Sequence, residues 1–178
     1  MGDITVVDGF ISVFAPEMPL YGGEFCSPDD VLDSRLRMLA QDAVSAAGAV
    51  SRCGGYAMVR GPFFEGRKYD KAFIASSGAS TVGMSTLPEA CVAALFPQVK
   101  VVALNFITNT AFEHHSHQTN QDRAKEQSKN MGRVLTNLVR LIRAHSSAAI
   151  VEDPTELVDN RDLTDEEAAN MLGGRRPV

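Results

Sequence analysis

The sequence predicts an α/β fold in which a partly parallel sheet is flanked by helices. Short β-branched runs, of which residues 99–107 are the strongest, alternate with segments whose apolar residues recur at helical spacing, such as residues 31–44. Strands separated by helices in this way favour a layered sheet. The length of 178 residues predicts one domain, and a hydrophobic fraction of 44% is that of an ordinary globular protein.

Five short strand-like segments are expected to form the strands. They are residues 4–7, 10–13, 56–59, 81–84 and 99–107. A loop is expected over residues 15–28, where prolines and glycines are frequent. Loops held on a rigid scaffold often carry function, so this loop is a candidate for functional residues.

Five segments with helical periodicity or helix caps are expected to form helices. They are residues 31–48, 68–77, 86–95, 120–145 and 164–173. Ser27 or Asp29 can cap the first helix, while Thr86 and Glu89 have the spacing of a capping box at the start of the third. That third helix is apolar on nearly all sides, which predicts deep burial. The apolar face of the long fourth helix consists of Met131, Leu135, Leu138, Val139 and Ile142.

Composition and charge argue against several classes of protein. Seventeen basic and 22 acidic residues give a net charge of −5, which is unfavourable for a general nucleic-acid or membrane-surface binder. The longest uninterrupted apolar run, residues 90–96, has seven residues, far short of the ~20 that span a bilayer. No secretory signal is recognisable at the N-terminus. The three cysteines, Cys26, Cys53 and Cys91, are expected to be reduced thiols in a cytoplasmic protein.

Polar residues at the ends of strand-like segments are the first candidates for a binding site. Glu65 follows two aromatic residues, a setting in which a carboxylate can accept a hydrogen bond from the N–H of a heteroaromatic ring; a solvated loop glutamate is the alternative. Asn109 can donate and accept at once, as in purine recognition, or it can be a turn former. Since each ends a strand-like segment, both are expected at one edge of the sheet, close enough to bracket a flat ring.

Residues before the third helix, and a histidine-rich stretch, are weaker candidates. Met84 can be a core filler. Ser85 can direct its hydroxyl at an anion near the helix N-terminus or help Thr86 to cap the helix. The histidines at 114, 115 and 117 have no cysteine or clustered carboxylate at ligand spacing, so no metal site is expected.

Three segments, in order and spacing, resemble the purine nucleoside phosphorylase family in its trimeric, 6-oxopurine-preferring branch. They are YAMVRGPFFE (56–65), GASTVGMSTLPE (78–89) and VVALNFITN (101–109). The resemblance implies a three-layer α/β fold with a mixed sheet flanked by helices. It covers residues 2 to about 145, so we expect a partial phosphorylase-like domain over residues 1–145 and a charged C-terminal extension with a short helix over residues 146–178. The family's chains are longer at the N-terminus, so the N-terminal part of the fold is expected to be missing.

The resemblance implies roles for individual residues. Glu65 matches the glutamate that holds the purine through its N1 edge, and Asn109 matches the asparagine that hydrogen-bonds N7 and steadies the leaving base. Phe64 matches the aromatic residue along the base. Met84 matches the residue packed under the ribose. Phe25 matches a phenylalanine that reaches the ribose site of the neighbouring subunit. Ser85 matches a hydroxyl that contacts phosphate.

The implied reaction is phosphorolysis of 6-oxopurine nucleosides to free base and ribose 1-phosphate. It needs phosphate as co-substrate and no cofactor. The implied partners are a purine nucleoside and phosphate, together with either further copies in a homotrimer or another chain that completes the sheet.

Departures from the family's pattern leave a second interpretation open. The family's ribose-contacting histidine falls near Gln121, beside Asn120. Its threonine after the purine-binding glutamate is Gly66, and the aspartate of its usual Gly-Ala-Asp is Ser80. The basic residues that grip phosphate have no counterpart by motif. The isolated chain is therefore expected to be inactive, and the alternative is a catalytically inactive phosphorylase-derived subunit with a structural or interaction role in a larger assembly.

Overall fold

The computed structural model of the protein describes residues 2–13, 27–60, 65–111, 113 and 116–152. The strands in these ranges are β1 (Ile4–Ile11), β2 (Ser51–Met58), β3 (Ala79–Gly83) and β4 (Leu104–Phe106). The helices are a short 3-10 helix (Pro28–Asp30), α1 (Ser34–Ala46), α2 (Asp70–Ser76), α3 (Thr86–Ala94), α4 (His117–Glu126) and α5 (Ser128–Glu152). Strands and helices alternate along most of the chain, as the sequence predicts.

The strands form one mixed sheet in the order β3-β2-β1-β4. β1 is parallel to β2, and β2 is parallel to β3, whereas β4 runs antiparallel to β1. The parallel neighbours are joined through helices, α1 between β1 and β2 and α2 between β2 and β3, because a parallel connection needs a crossover. The prediction of an α/β fold with a mixed sheet flanked by helices is confirmed.

Alternate side chains of β1 pack on opposite faces of the sheet. Ile4 and Val6 face α1 and α5, where their buried partners are Leu39, Ala40, Ala43, Val44, Val134 and Leu138. Val7 lies on the other face, in a cluster of buried residues from β2, α3 and the adjoining segments: Val31, Leu32, Tyr56, Met58, Leu87, Ala90 and Ala103. Helices cover both faces of the sheet, which gives three layers.

By its internal contacts the chain divides into two compact units, Met1–Arg143 and Ala144–Val178. The sheet lies in the first unit. The expected helix over residues 164–173 lies outside the described residues, and the expected boundary after residue 145 stays a prediction. No helix in the described part of the chain is long and apolar enough to cross a membrane.

The predicted strands differ in extent from the observed ones. The segment 56–59 covers only the end of β2, which already begins at Ser51. The segments 4–7 and 10–13 form one strand, β1, which ends at Ile11 and has a register shift against β2 between Val7 and Phe10. The predicted strand 99–107 is reduced to the three residues of β4. The part of the predicted strand that precedes β4 does not belong to the sheet, because the carbonyl of Val101 accepts from the Asp33 amide at 2.8 Å. The periodicity of the sequence cannot show such a tertiary contact.

The helix predicted over residues 120–145 was wrong in its bounds and in part of its buried face, of which Met131, Leu138 and Ile142 do pack against the core. Two helices occupy this stretch, and they are separated at Gln127, whose amide donates to the carbonyl of Arg123 and closes α4. In α5 the buried residues of the first unit are Val134 and Leu138. Leu135 and Val139, which were expected on the buried face, are half exposed, because the stripe that contacts α1 and β1 is rotated toward Val134.

The start and the burial of α3 also differ from expectation. The N-cap is Ser85 rather than Thr86, and neither hydroxyl caps the helix in the expected way; the Thr86 amide instead donates to the phenolic oxygen of Tyr56 at 3.4 Å. Only Leu87 and Ala90 of α3 are buried, whereas Val92 is 48% exposed. One apolar face of α3 is therefore accessible, contrary to the predicted deep burial.

The helix α1 begins at a different cap from the two that were proposed. Asp33 accepts from the Leu36 amide at 2.8 Å and so satisfies a free N–H group of the first turn. Ser27 does act as a cap, but of the 3-10 helix, where its hydroxyl accepts from the Asp29 amide. Gly48, with a φ of +72°, terminates the segment after α1 as expected.

Candidate functional site

A cleft of about 1020 Å³ runs along one face of the sheet. Four of the residues singled out in the sequence line it: Glu65, Met84, Ser85 and Asn109. The other two, Phe25 and Phe64, lie outside the described residues. Asn120 lines the cleft as well, whereas its neighbour Gln121 bonds to His117 at 2.8 Å within α4. The motif residues that the structure describes are thus brought to a single cavity.

The sheet is strongly curved, and the cleft lies on its concave face. Asn105 in β4 donates through Nδ2 to Oγ1 of Thr81 in β3 at 2.9 Å, although β1 and β2 lie between these two strands. In a flat sheet, three spacings of about 4.8 Å would separate the outer strands by roughly 14 Å. Both side chains line the cleft, so the outer strands approach each other over it.

A glycine in β2 permits this curvature. A Cβ atom on Gly54 would lie 2.1 Å from Oγ and 2.6 Å from Cβ of Ser80 in β3. The pairing of β2 with β3 also shifts register between Gly55 and Tyr56. A missing side chain and a bulge are the usual means by which a strand bends sharply.

We expect Gly54→Ala to destabilise the protein by about 1–3 kcal/mol, because the new methyl group overlaps Ser80 and β3 must move. Urea unfolding measures the change. Gly9→Ala in β1 is the matched control, since a Cβ there meets no atom within 4 Å. Adding Ser80→Gly, which removes both clashing atoms, should recover most of the loss. A Gly54→Ala protein as stable as Gly9→Ala would contradict this account of the bend.

Glu65 and Asn109 were expected close together because each was predicted to follow a strand that ends at the same edge of the sheet. This reason was wrong. β4 is antiparallel, so Asn109 follows Phe106, which pairs with Ile4 at the start of β1. Met84 and Ser85 follow the opposite end of the sheet, where β2 and β3 finish side by side. The cleft contains all these residues because it extends along the concave face from one edge to the other.

Glu65 forms a buried ion pair with a lysine that the sequence motifs do not contain. Lys71 Nζ lies 3.7 Å from Oε1 of Glu65, and each side chain is only 7% exposed. The surrounding backbone is held in place, since the amide of Lys71 donates to the carbonyl of Gly66 at 3.0 Å and the amide of Gly66 donates to Oδ2 of Asp70 at 2.7 Å. Glu65 is thus fixed against the first turn of α2 and is not a solvated loop residue.

The loop that carries Asn109 is anchored to α4. Arg123 donates to the carbonyl of Thr108 at 2.7 Å and to the carboxylate of Glu113 at 2.5 Å. The hydrogen bond to Glu113 raises the pKa of the Arg123 guanidinium. The Asn109 side chain accepts from the Thr108 hydroxyl at 3.0 Å and donates to the carbonyl of Thr110 at 3.3 Å. Its amide therefore has a defined orientation and keeps a second N–H hydrogen that these contacts do not use.

Close backbone packing fixes the segment that carries Met84 and Ser85. A Cβ on Gly83 would lie 2.4 Å from the Tyr56 hydroxyl, which in turn accepts from the Thr86 amide. Met84 is 37% exposed, so it lines the cleft rather than filling the core. Ser85 is the N-cap of α3, and its hydroxyl makes no capping bond. Ser85 and Thr86, at the N-terminus of α3, both line this end of the cleft.

Two cationic side chains occur among the described residues of the cleft, and both are ion-paired. Lys71 pairs with Glu65, as above. Arg52 pairs with Asp3 at 2.7 Å, and this hydrogen bond lowers the pKa of the Asp3 carboxyl. Arg52 precedes Met58 by six residues of β2, or about 20 Å along the strand, so it lies far from the end at which Ser85 stands.

Metal ligands are not clustered in the described part of the chain. No group of three or more histidine, cysteine, aspartate or glutamate side chains there could hold a metal ion. The histidines at 114 and 115 lie outside the described residues. The residues that the sequence interpretation missed are Lys71, Thr81 and Asn105. Lys71 lies outside the three motifs, whereas Thr81 and Asn105 lie within two of them, and each meets its partner only through the tertiary fold.

Comparisons with known proteins agree with this architecture. The phosphorylase superfamily matches residues 1–140. A protein of Schizosaccharomyces pombe named "Putative purine nucleoside phosphorylase" is 38% identical over 104 residues, which are 57% of this chain and 32% of that protein. The chain therefore spans about a third of the length of this relative.

Solved structures show the same fold. Isoform 2 of purine nucleoside phosphorylase from Schistosoma mansoni, in complex with cytosine and ribose-1-phosphate, matches with a TM-score of 0.68 at 21% identity, over 78% of this chain and 54% of that one. Schistosoma mansoni purine nucleoside phosphorylase in complex with inosine matches with a TM-score of 0.66 at 20% identity, over 78% and 54%. The chain spans about half the length of these enzymes. On the match over residues 1–140, together with this shared fold, the chain belongs to the phosphorylase superfamily.

Proposed function

We propose that the cleft binds a 6-oxopurine nucleoside and that the protein takes part in its phosphorolysis to free base and ribose 1-phosphate, with phosphate as co-substrate and no cofactor. The observation that carries the proposal is the presence of Glu65, Met84, Ser85 and Asn109 in one cleft. These four residues match the family's base, ribose and phosphate contacts, and the S. pombe relative bears the name of that enzyme.

The chemistry of the side chains suits this reaction. Breaking the C–N bond of a nucleoside passes through an oxocarbenium-like state while negative charge builds on the departing purine. Asn109 has an N–H hydrogen left for a ring nitrogen such as N7, and its orientation is already fixed by Thr108 and Thr110. Glu65 can accept the N1–H of the base. Such groups, aimed in advance at developing charge, are the main source of electrostatic catalysis.

Phosphate would occupy the Ser85 end of the cleft, where the Ser85 hydroxyl and the amide of Leu87 in the first turn of α3 can donate to an anion. The proposed arrangement places Met84 under the sugar between this anion and the base. It also requires further donors for phosphate from outside the described cleft residues. A homotrimer, or a partner chain that completes the sheet, would supply them, and Phe25 would then serve the ribose site of the neighbouring subunit.

A second candidate function is a catalytically inactive subunit derived from a phosphorylase. The observation that favours it is the pairing of both described cleft cations, Arg52 and Lys71, with carboxylates of the chain itself. A phosphate ion carrying about two negative charges would have to compete with those carboxylates. In this role the protein would bind other chains and would not release base from nucleosides.

The proposal predicts a preference among purine bases that calorimetry can measure. Hypoxanthine should bind at least about tenfold more tightly than adenine, because adenine sets a ring acceptor against the Glu65 carboxylate, and each buried polar group left unpaired costs about 1–3 kcal/mol. Asn109→Ala should weaken the binding of hypoxanthine, whereas Asn130→Ala on α5, outside the cleft, should not. Equal affinity for the two bases would exclude a 6-oxopurine site.

A further inference from the structure

Lys71 occupies a position that charged side chains seldom take. It is 8% exposed, it lines the cleft, and its ammonium lies 3.7 Å from the Glu65 carboxylate. Lysine is among the residues least often buried, and a buried ammonium needs a counter-charge and further acceptors. The structure provides the counter-charge, and the cleft offers space for a ligand that could provide another acceptor.

We propose that Lys71 determines base specificity. Its ammonium holds the Glu65 carboxylate in place and donates to a carbonyl oxygen of the base, beside the ring N–H that Glu65 accepts. This inference rests on the proposed function, since it concerns the same cleft. Lys71 lies outside the three sequence motifs and is not among the residues that were matched to the family's contacts.

The chain geometry keeps the two side chains together. The backbone amide of Lys71 donates to the carbonyl of Gly66, the residue after Glu65, at 3.0 Å. The amide of Gly66 donates in turn to Oδ2 of Asp70 at 2.7 Å. These two bonds lock the loop onto the first turn of α2, so the ammonium and the carboxylate face the cleft from one rigid segment.

The pair presents a donor next to an acceptor. The ammonium has three N–H donors and lies nearest to Oε1, which leaves lone pairs of the carboxylate free to accept. A 6-oxopurine offers the complementary edge, a carbonyl oxygen beside N1–H. Adenine offers an amino group beside a ring acceptor, so it would set donor against donor and acceptor against acceptor. Glu65 alone distinguishes the two bases only at N1. Lys71 would also distinguish the carbonyl oxygen of a 6-oxopurine from the amino group of adenine.

The first experiment measures the dissociation constants of hypoxanthine and adenine for the full chain and its Lys71 variants by calorimetry, with thermal unfolding recorded for each. Lys71→Gln keeps a polar N–H group at this position but removes the charge, and it should reduce the hypoxanthine-to-adenine preference by about tenfold. Lys71→Arg should retain the preference. Lys68→Gln, on an exposed lysine that lies over the Tyr69 ring, is the matched control and should change nothing.

A second pair of variants avoids leaving the Glu65 charge without its partner. Glu65→Gln keeps an acceptor for N1–H and leaves the Lys71 ammonium facing the base, so part of the preference for hypoxanthine should survive. In Glu65→Gln/Lys71→Gln no buried charge remains, and the preference for hypoxanthine should be smaller than in Glu65→Gln. The difference between these two proteins isolates the contribution of Lys71 even if Lys71→Gln alone does not fold.

The outcomes separate this inference from the function on which it rests. Equal preferences in Glu65→Gln and in the double variant, or a folded Lys71→Gln protein with the wild-type preference, would overturn the role of Lys71 and leave the purine site standing; Lys71 would then be structural, with an effect on unfolding alone. A wild-type chain that binds neither base would overturn both.

Discussion

Inosine and phosphate, incubated with the isolated chain, are expected to release hypoxanthine at least 10²–10³-fold more slowly than an ordinary enzyme turning over at ~1–10³ s⁻¹. The reason is the phosphate end of the cleft. Of the described residues there, Ser85 and the amide of Leu87 in α3 can donate to an anion, while Lys71 is held by Glu65 and Arg52 lies about 20 Å away beside Asp3. Loss of even one preorganised donor to developing charge typically costs ~2.7–4 kcal/mol.

Chromatography measures the hypoxanthine that is released, with the chain at about micromolar concentration. The concentration should be varied over about two decades, because a site completed by further copies would show turnover per chain that rises with concentration. Asn109→Ala serves as the control for any residual activity, since turnover that does not depend on Asn109 does not arise in the cleft. Ordinary turnover by the chain, abolished in Asn109→Ala, would show that phosphate is held by groups other than those described and would rule out the inactive-subunit interpretation.

The sequence predicts the candidate site better than the extents of the elements around it. Glu65, Met84, Ser85 and Asn109 lie in continuous motifs, so a resemblance identifies them without knowledge of the fold. Lys71 cannot be found in this way, because a lysine in the first turn of a helix is ordinarily solvated, and only the return of the loop at Gly66 places it against Glu65.

The curvature of the sheet shows a second limit of local patterns. Alternation and β-branching predict strands, but they do not predict that β4 is antiparallel or that Thr81 and Asn105 touch across two strands. Gly54 signals a bend only once Ser80 is known to lie against it. Likewise, the Asp33 amide donates to the carbonyl of Val101, and β4 is therefore shorter than the strand that local propensity favours. Tertiary hydrogen bonds override local preference in each case.

The largest effect on folding is expected from breaking the buried ion pair. Glu65→Leu leaves the Lys71 ammonium, 7% exposed, without its counter-charge, and should lower the free energy of unfolding by about 3–5 kcal/mol. Urea unfolding at neutral pH gives the value. Lys100→Met is the matched control, because Lys100 lies at the same 3.7 Å from Asp33 but is 70% exposed, and loss of a surface pair changes stability by only about 0–1 kcal/mol.

The double variant Glu65→Leu/Lys71→Met distinguishes a lost charge partner from a lost packing contact. Two apolar side chains of similar volume need no solvation, so this protein should regain the wild-type stability to within about 1 kcal/mol or exceed it. If the two losses instead add, the single variant is destabilised by packing defects and the pair is not a buried ionic contact. If the stability returns as expected while binding of hypoxanthine is lost, then the charges of Glu65 and Lys71 are kept for the ligand rather than for the fold, because a cleft that needed them only for stability would be as well served by leucine and methionine.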